Sequence, residues 1–412
     1  MDKPRTRVIA RGSKLKNTKK ILLKITGSNG ALVSALTFSV LFLSFGMRSL
    51  TGEEANEAQS LVSVRKIDDA EIRVFVDGDF FASVRADYKG TPIVWPICGP
   101  NGSLVTRAWP MIDDVDVDAE QDPRMKEIYQ NAIISERGGV KDHPHHRSLW
   151  FNHGNVLGGD FWGGTPSVIK QVGLAQVSCD QKTATIQTEN KWFNDKLKRD
   201  VCRDVRSMTF GVLSLNNKKV RYLDFSIEIF ALEDGVVFGD TKEGSFGIRV
   251  PSPTAVTSSK LDPQWGGAIL NDEGEKDGAT WGKRSLWVDY TGPAERFLRG
   301  DELEREWKKD AGSKDFPLTR IGIAVISGPN SLGTPAWRHV RDYGLFSSNP
   351  FGWRDFEPQN PNADGSRTLN KNESMTFNFR ALFHEGNLTP DELNLASKDY
   401  NEGFAASKSP KQ

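Results

Sequence analysis

The sequence is poor in the residues that carry most covalent and metal chemistry. Only three cysteines, Cys98, Cys179 and Cys202, occur in 412 residues, which excludes a disulfide scaffold and leaves at most one bridge. The strand pattern puts Cys179 and Cys202 on the first and third strands of a meander, with a strand between them too wide to bridge. No essential disulfide and no cysteine catalysis are expected. There is no C-x-x-C, no G-x-S-x-G and no H-E-x-x-H, so thiol redox, nucleophile-elbow and helical zinc chemistries lack their motifs. GATWGKRS at Gly278 is one residue short of a phosphate loop, and Arg284 stands where Ser or Thr would bind magnesium. Repeats, heptads and low-complexity blocks are absent as well.

Charge of either sign is missing from a whole segment. Ala31–Met47 carries no charged residue, whereas residues 1–30 carry nine Lys or Arg against one Asp. A basic leader before about seventeen apolar residues has the form of a secretory signal or N-terminal anchor. The expectation is an N-terminal apolar helix, with the basic side kept in the cytoplasm and the rest exported to the periplasm or held on the membrane. The remaining 45 basic residues face 53 acidic ones, a balance that excludes a nucleic-acid partner.

Beyond residue 47 the pattern is strand after strand. Residues 48–68 are polar and without periodicity, the expectation for a tether. EIRVFVDGDFFASVRAD puts Asp77-Gly78 between two alternating runs, a hairpin signal, and PIVWPICGPNGSLVTRAWP repeats the device at Pro100-Asn101-Gly102. In VRYLDFSIEIFAL, Leu223, Phe225, Ile227 and Ile229 alternate with Tyr222, Asp224, Ser226 and Glu228, as in a half-buried antiparallel strand. Helices are few: Asp122–Ile133, and a C-terminal one with Thr389 as N-cap, Pro390 first and Glu392 closing a capping box. The fold class expected is all-β: one large antiparallel sandwich of jelly-roll or supersandwich type with few short helices, spanning about 69–400 before a disordered tail at 401–412.

Histidine is scarce too, six in all, yet four fall between Asp142 and Gly154 in DHPHHRSLWFNHG. On an extended segment His143 and His145 would project to one face and His146 to the other; Pro144 limits the stretch to an edge strand or an irregular loop. Three readings fit. A divalent metal could be held by two or three of His143, His145, His146 and His153, although the glutamate of a two-histidine jelly-roll metal site is missing. Metal-free acid–base work beside a carboxylate is the second, and a hydrogen-bonded structural loop the third. Trp150, Trp162, Trp281, Trp287, Trp337 and Trp353 all lie in segments rich in Arg, Asp, Asn or Lys. Aromatic faces with polar groups beside them suit a sugar ring.

DHPHHRSLWFNHGNVLGGDFW resembles the hallmark of a family of exported bacterial proteins labelled "methane oxygenase PmoA". The resemblance continues through PIVWPICGPNGSLVTRAWP, DTKEGSFGIRV, WGKRSLWVDY, WRHVRDYGLFSSNPFG and FRALFHEG, from about residue 72 to 387. It implies an exported protein found in the company of sugar-processing enzymes. The methane chemistry of the label is not carried over, because true methane monooxygenase membrane subunits span the bilayer many times.

The resulting expectation is an exported enzyme acting on a carbohydrate by hydrolysis, elimination or epimerisation. His145 or His146 would be the general acid or base, with His153 and Asp160 completing the catalytic set. Asp142, His143, Arg147, Trp162, Glu243, Arg249, His339, Arg341 and His384 would hold the substrate. No cofactor is required, although a divalent metal near His143, His145 and His153 stays open. A non-catalytic glycan-binding module and a metal-dependent oxygenase are the alternatives.

Overall fold

The computed structural model describes residues 61–163, 166–309 and 316–408. Strands β1 (Val62–Lys66), β2 (Glu71–Val76), β3 (Asp79–Arg85) and β4 (Ile93–Ile97) precede helix α1 (Pro123–Ser135) and β5 (Leu149–His153). A meander follows: β6 (Val168–Cys179), β7 (Thr183–Asn194), β8 (Arg199–Leu215) and β9 (Lys218–Ala231). Next come β10 (Val236–Phe238), β11 (Gly244–Arg249), β12 (Ala268–Asn271), β13 (Trp287–Glu295), α2 (Gly300–Trp307) and β14 (Leu318–Ser327). The chain closes with β15 (Trp337–Val340), β16 (Leu345–Asn349), α3 (Trp353–Phe356), β17 (Arg367–Leu369), β18 (Ser374–Glu385) and α4 (Pro390–Lys408).

Two eight-stranded antiparallel sheets result, in the orders β1-β2-β3-β4-β5-β11-β16-β15 and β12-β13-β14-β18-β9-β8-β7-β6, with β10 and β17 paired apart. The local signals explain the joints. Asp77 and Gly78 both take positive φ, 53° and 83°, the turn whose twist matches the flanking strands β2 and β3. Asp122 caps α1 by accepting the Arg124 N–H at 3.0 Å. The capping box of α4 is reciprocal, Thr389 N–H to Glu392 Oε2 at 2.7 Å and Glu392 N–H to Thr389 Oγ1 at 3.2 Å.

The apolar alternation of β9 buries Leu223, Phe225, Ile227 and Ile229 in the layer between the sheets. There Phe225 meets Phe151 at 5.9 Å and Phe246 at 5.2 Å, and Phe81 meets Phe210 edge-on at 5.5 Å. The fold is therefore a β-sandwich. Helix α4 covers the outer face of the second sheet over Trp287 and Leu382. On the outer face of the first sheet, α1 covers only the β3–β4 side, where Trp95 stacks on Tyr129 at 5.8 Å. At the β15 end of the same sheet, α3 packs Phe356 on Trp337 at 5.7 Å and on His339 at 6.2 Å.

All three cysteines are free, with Cys179 on β6 and Cys202 on β8 separated by β7 as expected. Strand β1 lies inside the segment read as a tether, and α4 continues past residue 400 into the expected tail. The second turn, at Pro100-Asn101-Gly102, closes only a single bridge between Cys98 and Leu104. Among the described residues no helix is long and apolar enough to cross a membrane. The basic leader and Ala31–Met47 lie outside the described residues.

Candidate active site

Residues 141–148 form no strand. His143 takes a left-handed φ of 47°, and the His146 N–H closes a turn onto the His143 carbonyl at 2.9 Å. The alternation expected of an extended edge is thereby replaced by a turn that gathers three imidazoles. Arg107, fully buried, fastens the turn from within: it donates to Asp142 Oδ1 at 2.8 Å, to the His143 carbonyl at 3.1 Å and to the Trp109 carbonyl at 3.1 Å. Arg147 donates to the Tyr88 and Lys89 carbonyls at 3.1 and 3.3 Å, so it anchors the turn to the β3–β4 connection and does not face a ligand.

The hydrogen bonds assign the tautomers. Arg249 donates to Asp142 Oδ1 at 2.7 Å and to His146 Nδ1 at 3.2 Å. A guanidinium can only donate, so His146 carries its proton on Nε2. Burial alone would raise the Asp142 carboxyl, but Arg249, His143 and Arg107 hold it below the usual carboxylate range. That carboxylate accepts from His143 Nδ1 at 3.0 Å, which leaves His143 Nε2 as a proton acceptor. Burial, reinforced by His143 and Arg147, pushes His145 down to about 4; burial and Arg249 push His146 well down. Both are neutral at pH 7.

Aromatic rings line the same face. His143 stacks on Tyr343 at 5.0 Å and on His146 at 4.8 Å, and His146 stacks on Trp150 at 5.5 Å. Trp162 packs on Trp150 at 5.1 Å. Sheet register sets Trp150, Gly247, Ser347 and His339 in one row across four strands. Gly247 is required there because a Cβ would stand 2.7 Å from Trp150 and 3.0 Å from Trp162. The next row holds Asn152, Ser245, Asn349 and Trp337. At the far end Trp281 meets His339 at 6.4 Å, and the Arg341 guanidinium lies 5.2 Å over the Trp281 ring. The indole N–H groups of Trp150, Trp162, Trp281 and Trp337, Asn152 Oδ1, His339 Nδ1 and Arg341 Nε are buried without a hydrogen-bond partner. Each such group costs about 1–3 kcal/mol in a closed core; others, Trp95 Nε1, Asn190 Oδ1 and Asp272 Oδ1 among them, lie elsewhere in the fold.

Asp142, His143, His145, His146, Asp160, Trp162, Glu243, Arg249, His339 and Arg341 thus gather on this face. Asp160 accepts the Trp162 and Gly163 N–H groups at 2.8 and 2.9 Å, shaping the turn that lays Trp162 on Trp150. Two histidines stand elsewhere. His153 points between the sheets, 4.4 Å from the Phe351 ring, and donates from Nε2 to the Gly239 carbonyl at 2.8 Å. His384 lies on the outer face of the second sheet, 3.0 Å from Asp289. Its ring occupies the space a side chain at Gly322 would need. A His143–His145–His153 metal set is therefore not assembled, because strand alternation turns His153 inward. Among the described residues no three His, Cys, Asp or Glu are grouped to hold a metal ion. Sequence reasoning passed over Tyr343, Arg107, Gly247, Ser245, Ser347 and Asn349. The alternate positions of GSFGIR and LFSSN, small or polar on one face, were the available signal.

The buried imidazoles also give a pH signature. Burial pushes His153 down to about 4 and, with Arg341 and Lys242 adding to it, His339 down to about 3. Each is neutral in the fold yet titrates near 6.5 when unfolded. Their contribution is complete above pH 6.5 and is lost as pH falls toward 4, by up to about 3 kcal/mol for His153. Denaturant midpoints measured from pH 7 to 4 should fall, and His153→Gln should flatten that limb. An unchanged slope in the variant would refute the assignment.

The chain belongs to a family of unknown function, DUF6807, whose family model matches residues 64–398. This finding corrects the resemblance drawn from the histidine motif: the matching family is not the one labelled methane oxygenase PmoA, and the oxygenase alternative falls with it. No curated protein matches the chain. Among solved structures, a galactose mutarotase-like protein from Clostridium acetobutylicum is similar at 11% identity, covering 79% of this chain and 99% of that one, with a TM-score of 0.28.

Proposed function

Starting from membership in a family without an assigned reaction, we propose that the outer face of the first sheet binds a carbohydrate and moves a proton on it. The observation that carries this reading is the Asp142–His143 pair beside a row of unpartnered indole N–H groups. Trp281, half-buried, offers its ring to the apolar side of a sugar, while Trp150 and Trp162 are buried beneath His146 as the floor of the site. Asp142 orients His143, whose Nε2 is the general base, a role the sequence alone assigned to His145 or His146. His146 donates from Nε2–H, His145 is a second neutral imidazole, and Glu243, His339 and Arg341 hold hydroxyls or charge. Hydrolysis, elimination and epimerisation all use such a proton acceptor.

The test is nuclear magnetic resonance of the protein with a panel of mono- and oligosaccharides in deuterated water, reading both contact and change of the sugar. The wild type is expected to bind and convert one class, and Trp281→Ala to weaken binding by about tenfold, as loss of a stacking ring does. Absence of binding across the panel would sink the reading. Binding without conversion would make the face a glycan-binding surface instead.

We further propose that Ala31–Met47 directs the body out of the cytoplasm. Residues 1–68 fused to a reporter active only outside the cytoplasm should give signal, and a silent fusion with cytoplasmic protein would end that reading.

A further inference from the structure

Arg341 differs from the other arginines of the site. Arg107 and Arg249 both end on Asp142, at 2.8 and 2.7 Å. Arg341 has no carboxylate at ion-pair distance among the described residues, and its Nε is buried without an acceptor. Its guanidinium lies on the Trp281 ring and beside the Tyr343 hydroxyl. Lys242 is a second cation at this end, and it is loosely held: its ammonium stands 3.7 Å from Glu243 and 3.8 Å from Asp355, too far for direct hydrogen bonds. Three carboxylates border this end of the site: Glu243 and Asp355 face Lys242, and the Asp342 carboxylate lies against Gly278, 3.4 Å from where a Cβ would stand. Burial depresses His339, and Arg341 and Lys242 add to it. Among the described residues the Arg341 guanidinium is thus left without an ion-pair partner, and Trp281 desolvates one of its faces.

We infer that the carbohydrate taken by this face bears a carboxylate, as a uronic acid does, and that Arg341 is its receptor. This rests on the carbohydrate reading above and narrows it. A guanidinium fixed on an indole presents a planar fork that matches a carboxylate in two parallel hydrogen bonds. His339, with Nδ1 unpartnered, and Lys242 border the same position. A neutral sugar would leave the Arg341 charge half-buried and unanswered. Tyr343 links this end to the base, since its ring stacks on His143 and its hydroxyl meets Arg341. A carboxylate neutralised by Arg341 has a more acidic neighbouring C–H, which favours elimination or epimerisation over hydrolysis.

The experiment is calorimetric titration of the full chain with galacturonate and glucuronate oligosaccharides, their neutral counterparts and their 6-sulfated counterparts. A uronate is expected to bind about tenfold or more tightly than its neutral counterpart, the scale of one charge-assisted hydrogen bond. Arg341→Gln should erase that preference, bringing the uronate's affinity to that of its neutral counterpart in the same variant. Arg341→Lys should keep part of it, and Lys242→Gln should reduce it by a smaller factor. Equal affinity of the wild type for neutral and acidic sugars overturns the inference and leaves the carbohydrate reading standing. So does a preference that survives in an Arg341→Gln protein melting like wild type. Tighter binding of the sulfated sugar overturns the carboxylate assignment. Failure of every sugar to bind removes both readings together.

Discussion

Replacing His143 with Gln is expected to lower turnover of the bound sugar by about a hundred- to ten-thousandfold, the loss typical of removing a positioned base. The same change should leave the thermal midpoint close to wild type. His143 is 41% exposed at its side chain, and its ring contacts Tyr343, His146 and His145. Gln can still donate to Asp142, so Arg107 and Arg249 keep their carboxylate. His146→Ala should lose stability as well as turnover. That ring is 1% exposed, stacks on Trp150 and accepts from Arg249, so its removal should cost about 1–3 kcal/mol of stability. Parallel measurement of turnover and melting on the two variants separates the roles. A His143→Gln protein with wild-type turnover would end the assignment of His143 as base.

What the sequence could reveal of this site follows from range. Strand alternation is a local property, so VRYLDFSIEIFAL and the Asp77-Gly78 turn were legible, as were the caps of α1 and α4. The histidine cluster was legible as a concentration of chemistry, but its geometry was not. Arg107, thirty-five residues before Asp142, and Arg249, one hundred and seven after it, decide which imidazole nitrogen holds a proton. No local pattern links those three positions. His153 was misread for a simpler reason: strand β5 alternates, and the strand register sends Phe151 and His153 inward while Trp150 and Asn152 face the site. Likewise His384 shares a motif with no obvious structural role, yet β18 belongs to the other sheet. The row Trp150–Gly247–Ser347–His339 draws on four separate strands, and only their order in the sheet makes it a row.

The sandwich interior carries a polar centre whose removal should have the largest effect on stability. Asp204, fully buried on β8, receives Nε and Nη2 of Arg206 at 3.0 Å each, Asn190 Nδ2 at 2.7 Å and the Trp192 indole N–H at 2.6 Å. Four donors converge on one carboxylate between two apolar sheets. Asp204→Ala would leave the Arg206 guanidinium, 2% exposed, charged and without a counter-ion in the core. Breaking a buried pair by removing one partner typically costs about 3–5 kcal/mol. Two further donors would lose their acceptor as well, at about 1–3 kcal/mol each where water cannot enter. Chemical denaturation should therefore place the single variant at the upper end of that range, with a fall in midpoint and little change in slope. Asp204→Leu combined with Arg206→Met removes the charge along with its partner, and most of the loss should be recovered, because apolar replacement of a whole buried pair is often neutral. A single variant as stable as wild type would mean that the carboxylate contributes nothing to the core. A double variant no better than the single would instead assign the loss to Trp192 and Asn190, whose bonds neither substitution restores.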